Sequence, residues 1–209
     1  MNPEEKEKLL SLYESRYEEY GYDVRSIGWG NIESQQLRFS VLAEIADLTG
    51  KSICDLGCGF GDLYPYLKNR YGDVRYLGVD LSGKLIEEAR RRYPNLYFEV
   101  RDILTDPLED KFDYVLASGA LSFKIKNHED HVRKMLKAMY DMSTGGVAVN
   151  FLSSYVDYRL PKNFHFSPEK AFRMGRELTT YVTIRHDYPL YEFTLYLYHR
   201  ANRYRGIDP

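Results

Sequence analysis

The stretch KSICDLGCGFGDL, residues 51–63, places a glycine at every second position directly behind an apolar run that ends in an acid. The glycines are Gly57, Gly59 and Gly61, and the acid is Asp55. A turn of this kind lets a ligand approach the backbone closely, because glycine has no side chain. In doubly wound sheets, a glycine-rich turn between a strand and a helix is where nucleotides bind. The stretch therefore predicts a strand, a ligand-binding turn and a helix, in that order.

The rest of the chain repeats this alternation of strand and helix. Four further apolar segments have strand character: VRYLGVD, LYFEVRD, FDYVLAS and GVAVNFLSS. Segments with helical spacing separate them: GDLYPYLKNRYG, SGKLIEEARRRYP and HEDHVRKMLKAMYDMS. Strand followed by helix, repeated, predicts a parallel sheet with helices on both faces.

The C-terminal part departs from this pattern. SPEKAFRMGREL predicts one more helix, and YVTIRHDYPLYEFTLYLYHR predicts two strands joined by a turn at HDYPL. Two strands in immediate succession pair as a hairpin, so the sheet should end with an antiparallel strand. Before the first strand, we expect two helices, near residues 4–20 and 33–48. We divide the chain into an N-terminal helical cap or lid (1–49), a main domain (50–200) and a C-terminal tail (201–209).

Composition excludes several classes of function. The chain has 209 residues, a formal net charge of −2 and two cysteines, Cys54 and Cys58. The cysteines have no second pair or histidine at ligand spacing, so we predict no metal site and no disulfide framework. The charge gives no global reason to bind nucleic acid. No apolar run approaches the ~18 residues of a membrane span, and no secretory leader is visible, so we expect a cytoplasmic protein without membrane contact.

A dinucleotide-binding fold is the nearest alternative for the glycine turn. Its fingerprint is G-x-G-x-x-G, which brings a pyrophosphate to the helix N-terminus. Here the third glycine of that fingerprint is replaced by Asp62, whose carboxylate would repel a pyrophosphate. Asp55 instead suits a ligand that carries ammonium and sulfonium charge.

Four motifs together resemble the class I S-adenosylmethionine-dependent methyltransferases. DLGCGFG resembles the first motif of that family, and YLGVDLS, VRDI and FDYVLASGALSF resemble the second, third and fourth. The resemblance covers residues 51–200, and it implies S-adenosylmethionine as cofactor and S-adenosylhomocysteine as product. With the strand pattern, it implies an α/β fold with a doubly wound, Rossmann-like, seven-stranded sheet in the order 3-2-1-4-5-7-6, strand 7 being antiparallel.

The resemblance also implies roles for residues at the strand ends. Asp80 would accept hydrogen bonds from both ribose hydroxyls, for which a carboxylate is well suited, and Leu81 would pack on the adenine. Asp102 and Ile103 correspond to the pair that contacts the adenine, although an aspartate at this position can equally be a helix cap. With the motif glycines, the implied cofactor residues of the main domain are Asp55, Gly57, Cys58, Gly59, Gly61, Asp80, Leu81, Asp102, Ile103, Ser118 and Gly119.

The N-terminal segment supplies two more candidates. Trp29 lies between glycines in a loop and is either a core residue or part of a ligand-facing loop. Arg38 is either an exposed helical arginine or a partner of the cofactor's methionine carboxylate, which the guanidinium fork fits. Of the histidines, His165 is the best-placed candidate for a general base after the fifth strand.

We therefore expect methyl transfer from S-adenosylmethionine to a small molecule by in-line displacement. Two alternatives remain open: a methyltransferase that acts on RNA or protein, and a non-catalytic protein that binds S-adenosylmethionine. The sequence predicts neither the atom that receives the methyl group nor the oligomeric state.

Overall fold

The computed structural model describes residues 1–201, and the remainder of the predicted tail, residues 202–209, lies outside the described part. Two helices precede the sheet, α1 (Pro3–Tyr20) and α2 (Ile32–Leu42). The elements that follow are β1 (Ser52–Leu56), α3 (Leu63–Tyr71), β2 (Arg75–Asp80), α4 (Gly83–Arg92), β3 (Tyr97–Val100), β4 (Phe112–Ala117), α5 (His128–Met142), β5 (Ser143–Leu152), α6 (Pro168–Leu178), β6 (Tyr181–Arg185) and β7 (Glu192–Tyr198).

The sheet confirms the predicted topology. Its seven strands lie in the order β3-β2-β1-β4-β5-β7-β6. The pairs from β3 to β5 are all parallel, whereas β7 is antiparallel to both β5 and β6. The strand order reverses between β1 and β4, so the crevice at the carboxyl ends of these strands is where an α/β sheet of this kind binds ligands.

Helices cover both faces of the sheet, as the alternation predicted. On one face, α5 and α6 contribute Leu136 and Met174 to the buried core. On the other face, α2, α3 and α4 contribute Leu42, Leu67 and Ile86. Burial on both faces explains why the central strands read as nearly continuous apolar runs instead of alternating patterns.

The second helix is shorter than predicted. The α-helix ends at Leu42 and is followed by one 3-10 turn, Ala43–Ile45, instead of continuing to residue 48. Beyond this turn the Asp47 carboxylate accepts the backbone N–H of Thr49 at 3.0 Å. Such a local side-chain contact competes with helical hydrogen bonds and favours a turn. The division into a cap, a main domain and a tail stays a prediction.

Cys54 and Cys58 are both free thiols buried in the core. Among residues 1–201, no helix has the length and apolar character that a membrane crossing requires.

Close packing of β5 against β7 generates a test of the fold. A Cβ atom added to Gly146 in β5 would lie 2.5 Å from the backbone carbonyl oxygen of Leu197, which cannot move without disturbing the ladder. We expect Gly146→Ala to lower the free energy of unfolding by about 1–3 kcal/mol in urea denaturation, the usual cost of overpacking. Gly83→Ala is the matched control, because a Cβ at Gly83 meets no atom within 4 Å. Equal stabilities for the two variants would contradict the predicted strain.

Candidate functional site

The glycine turn between β1 and α3 has a conformation that requires glycine. The φ angles of Gly57, Gly59 and Gly61 are 72°, 55° and 79°, all in the left-handed region. At Gly57 a side chain is also excluded by contact, since an added Cβ would lie 2.6 Å from the Cβ of Ala120. The amides of Gly57 and Cys58 both donate to the carbonyl of Val79, at 2.8 and 3.1 Å. The turn is therefore anchored to the end of β2.

Asp80, the last residue of β2, completes this anchoring through its side chain. One carboxylate oxygen accepts the backbone N–H of Gly59 at 2.9 Å, and the other accepts that of Ser82 at 2.9 Å. Burial raises the pKa of Asp80, and the amides of Ser82 and Gly59 oppose that increase by donating to the charged form. A carboxylate has about four acceptor positions, so these two amides leave Asp80 with capacity for a ligand.

A cavity of about 510 Å³ lies at the carboxyl ends of the parallel strands. All the predicted cofactor residues except Gly61 line it. Gly61 faces the aromatic core instead, where an added Cβ would lie 2.8 Å from the ring of Phe98. Ser118 and Gly119 reach the cavity from the end of β4, and the Gly119 amide donates to Asn150 Oδ1 at 2.8 Å.

Asp102 does not cap a helix, and its contact with the cofactor stays a prediction. It holds a local turn by accepting the amide of Leu104 at 3.2 Å, and it lines the cavity beside Ile103. Its carboxylate also lies 3.2 Å from the Nζ of Lys6 on α1. This ion pair holds α1 beside the cavity. The sequence motifs did not indicate the contact between these two residues.

The loop with Trp29 covers the turn after β4. A Cβ added to Gly119 would lie 2.3 Å from the indole ring, so the tryptophan packs directly on this glycine. The guanidinium of Arg38 lies 4.2 Å from the centre of the Trp29 ring, within the range of cation–π attraction. Trp29 is thus a partly exposed residue that closes one side of the cavity.

Arg38 is buried, with 8% of its surface exposed, which excludes the alternative of an exposed helical arginine. Its Nε donates to both carboxylate oxygens of Glu192 at 2.9 Å. The Nη2 group pairs with the same carboxylate, whereas buried Nη1 has no hydrogen-bond partner among residues 1–201. An unsatisfied buried donor is costly, about 1–3 kcal/mol. This atom therefore marks a position where a ligand oxygen would be favourable.

His165, the predicted general base, does not line the cavity. Its Nδ1 lies 2.9 Å from the carbonyl oxygen of Ser153, to which it can donate. The side chain is thus oriented toward the segment that follows β5. Among the histidines of residues 1–201, His131 alone lines the cavity, and burial lowers its pKa. The geometry does not support His165 as a group that contacts an acceptor.

Several cavity residues are not among the predicted cofactor residues. Leu9, Tyr13 and Arg16 line it from α1, and Glu192 lines it from the start of β7. The spacing of the first three, which places them on one side of a helix, is a signal that was present in the sequence. For Glu192 the only signal is an acid at the beginning of an otherwise apolar strand.

Asp55, at the end of β1, is buried beside other acids. Burial raises its pKa to about 7, the hydrogen bond from the Tyr76 hydroxyl at 2.6 Å lowers it, and the charges of Asp80 and Asp62 raise it further. Because this value lies above the ordinary value of 3.8, the contribution of Asp55 to stability is complete below about pH 3.8 and is lost as the pH rises through 7.

This perturbation predicts a pH-dependent effect of Asp55→Asn, which removes the charge and keeps an oxygen acceptor for Tyr76. Relative to the wild type, we expect the variant to gain on the order of 1–3 kcal/mol in unfolding free energy as the pH rises from about 4 to about 7, and to keep that gain at higher pH. Denaturant titrations across this range measure the gain. Asp141→Asn, at an exposed position, serves as control. A difference between Asp55→Asn and wild type that is constant with pH would show that Asp55 does not titrate here.

Comparison with known proteins agrees with this arrangement. Residues 53–146 match a family described as "Methyltransferase domain". A putative methyltransferase of Mycobacterium tuberculosis is 31% identical over 154 residues, which are 69% of this chain and 90% of that protein. The trans-aconitate 2-methyltransferase of Variovorax paradoxus is 32% identical over 108 residues, covering 51% of this chain and 40% of that enzyme.

Solved structures share the fold. Magnesium protoporphyrin IX methyltransferase from Synechocystis PCC 6803 with bound SAH superposes with a TM-score of 0.68 at 17% identity, covering 92% of this chain and 98% of that one. The DhpI-SAM-HEP complex gives a TM-score of 0.72 at 16% identity, with 94% and 98% covered. Together with the mycobacterial relative and the motif residues gathered at one cavity, these similarities show that the chain belongs to the class I S-adenosylmethionine-dependent methyltransferases.

Proposed function

We propose that this enzyme methylates a small molecule, and that the cavity at the carboxyl ends of β1, β2 and β4 holds both the cofactor and the acceptor. The observation that carries the proposal is the Asp80 carboxylate, which is fixed by two backbone amides and retains free acceptor positions at the cavity wall. These positions suit the paired hydroxyls of a ribose.

The residues around Asp80 fit the remaining parts of S-adenosylmethionine. Gly57 and Gly59 present backbone without side chains, Ile103 offers an apolar surface for the adenine, and Arg38 Nη1 is a buried donor without a partner among residues 1–201. We infer that Arg38 Nη1 binds the methionine carboxylate. When bound, S-adenosylmethionine supplies a methyl group that its sulfonium sulfur already activates.

The task of the protein is then to orient the two reactants and exclude water. Orientation of this kind contributes roughly 7–11 kcal/mol to the reduction of a barrier. Trp29 covers Gly119 from one side, and Leu9 and Tyr13 of α1 line the cavity from another. We expect these residues to hold the acceptor against the cofactor, with no covalent intermediate on the enzyme.

Two observations support a small acceptor. The cavity, at about 510 Å³, is within the range of small-molecule sites, roughly 300–1,000 Å³. Helix α1 and the Trp29 loop line it and restrict the room for a macromolecular chain. Relatives named trans-aconitate 2-methyltransferase are, by that name, enzymes of small molecules, although this chain covers 40% of the Variovorax protein.

The first test is calorimetric titration with S-adenosylhomocysteine. We expect Asp80→Asn to weaken binding about 10–100-fold, because hydrogen bonds to a charged group contribute about 1.5–3 kcal/mol. Asp73→Asn, at an exposed position before β2, should bind as the wild type does, and NAD should produce no heat with any variant. Full affinity in Asp80→Asn, with its folding verified by thermal melting, would contradict the role of this carboxylate.

The role of Arg38 has its own test. Arg38→Gln alone would leave Glu192 as an unpaired buried charge, which is strongly destabilising, so the double variant Arg38→Gln/Glu192→Gln is used. We expect S-adenosylhomocysteine to bind about 10–100-fold more weakly, the effect of losing one charge-assisted contact. Affinity for 5′-methylthioadenosine, which lacks the methionine carboxylate, should remain unchanged. Equal losses for both ligands would assign Arg38 a structural role instead.

A further inference from the structure

Five arginine and lysine side chains line the cavity within residues 1–201. Three of them form ion pairs with carboxylate groups of the protein. Arg38 pairs with Glu192, Arg101 pairs with Glu99 and Asp106, and Lys134 lies 2.8 Å from Asp130. The other two are Arg16 and Lys162. In the described part of the chain, neither has a carboxylate oxygen within 4.0 Å.

Arg16 and Lys162 come from distant parts of the sequence. Arg16 lies on α1, where its guanidinium is 5.9 Å from the centre of the Tyr13 ring, and its Nη1 would be 3.1 Å from a Cβ added to Gly28. It therefore lies beside the loop that contains Trp29. Lys162 belongs to the segment between β5 and α6, and its carbonyl accepts the amide of Lys124 at 2.8 Å.

The two charges influence each other. The pKa of Lys162 is lowered, first because the side chain is partly removed from water and second because the positive charge of Arg16 repels the protonated amine. Both cations line the same cavity, where an anion bound between them would relieve their repulsion. Neither side chain makes a hydrogen bond or an ion pair within residues 1–201, so both charges are available to a ligand.

We propose that the methyl acceptor carries an anionic oxyacid group, a carboxylate or a phosphate, and that Arg16 and Lys162 bind it together. The guanidinium of Arg16 can contact two oxygens of such a group at once, and the ammonium of Lys162 adds a point charge. The inference rests on the proposed function and specifies the chemical class of the acceptor. It also assigns α1 and the segment between β5 and α6 to acceptor recognition, each contributing one cation.

Trp29 provides the means of testing this, because it is the one tryptophan of the chain and lines the same cavity. Its fluorescence is followed while the full chain, saturated with S-adenosylhomocysteine, is titrated with succinate, citrate or inorganic phosphate at constant ionic strength. Neutral dimethyl succinate and cationic choline are the comparison ligands. Comparing the affinities for the carboxylate probes with the affinity for phosphate shows which kind of oxyacid group the cavity binds.

We expect at least one anionic probe to bind with a Kd below about 10 mM. Arg16→Gln and Lys162→Gln should each weaken that probe about 10-fold, which corresponds to one charge-assisted contact. Neither comparison ligand should saturate. Lys170→Gln is the matched control, because this lysine pairs with Glu129 at 2.6 Å and does not line the cavity.

Two outcomes would overturn the proposal: no anionic probe binds at about 10 mM, or a probe binds and neither variant weakens it. Lys162 lies in a segment without regular secondary structure, so Lys162→Gln remains informative if Arg16→Gln disturbs α1. The S-adenosylhomocysteine titration distinguishes a failure of the proposed function from a failure of the proposed anion site. Failure to bind it refutes the proposed function, whereas normal binding without anion recognition refutes this inference alone.

Discussion

The Asp80 carboxylate is the point on which the architecture of the site depends. It joins the end of β2 to the amide of Gly59 in the turn after β1, and to the amide of Ser82 at the start of α4. Three backbone segments thus converge on one half-buried acid. Charged hydrogen bonds to backbone amides are stronger than neutral ones, so the turn is held in a fixed conformation before any ligand binds. A catalyst that works by orientation requires this kind of rigidity.

Helix α1 is attached to the sheet in a different way. Helix α1 buries a single residue, Leu9, and several of its contacts with the rest of the chain are polar. Lys6 pairs with Asp102, and Tyr17 donates to Glu88 at 3.1 Å. Exposed ion pairs contribute about 0–1 kcal/mol each. Moving α1 therefore costs much less free energy than disturbing the sheet, which is compatible with a cap over a cavity that must admit an acceptor and release a product.

The strand order and the gathering of the predicted cofactor residues at one cavity were predictable because they follow from local patterns. Glycine spacing, an acid at each strand end and the reversal of strand order place Asp55, Asp80 and Asp102 at one edge of the sheet. The position of the general-base candidate could not be predicted in this way. His165 follows β5, but its ring is hydrogen-bonded to a backbone carbonyl instead of facing the cavity. Side-chain direction in a loop depends on contacts that the sequence pattern does not contain.

The sequence by itself determined the fold class, the cofactor and the residues of the glycine turn, since each of these depends on repeated spacing or on backbone conformations that only glycine adopts readily. Tertiary structure alone decided which charges meet. Arg38 and Glu192 are 154 positions apart and form a buried pair, and Lys6 reaches Asp102 across 96 positions. Such contacts arise where α1 and α2 pack against the sheet that contains β7. Contacts between residues far apart in the chain leave no periodic signal in the sequence. For the same reason, the presence of Arg16 and Lys162 at one cavity becomes visible only when the chain is folded.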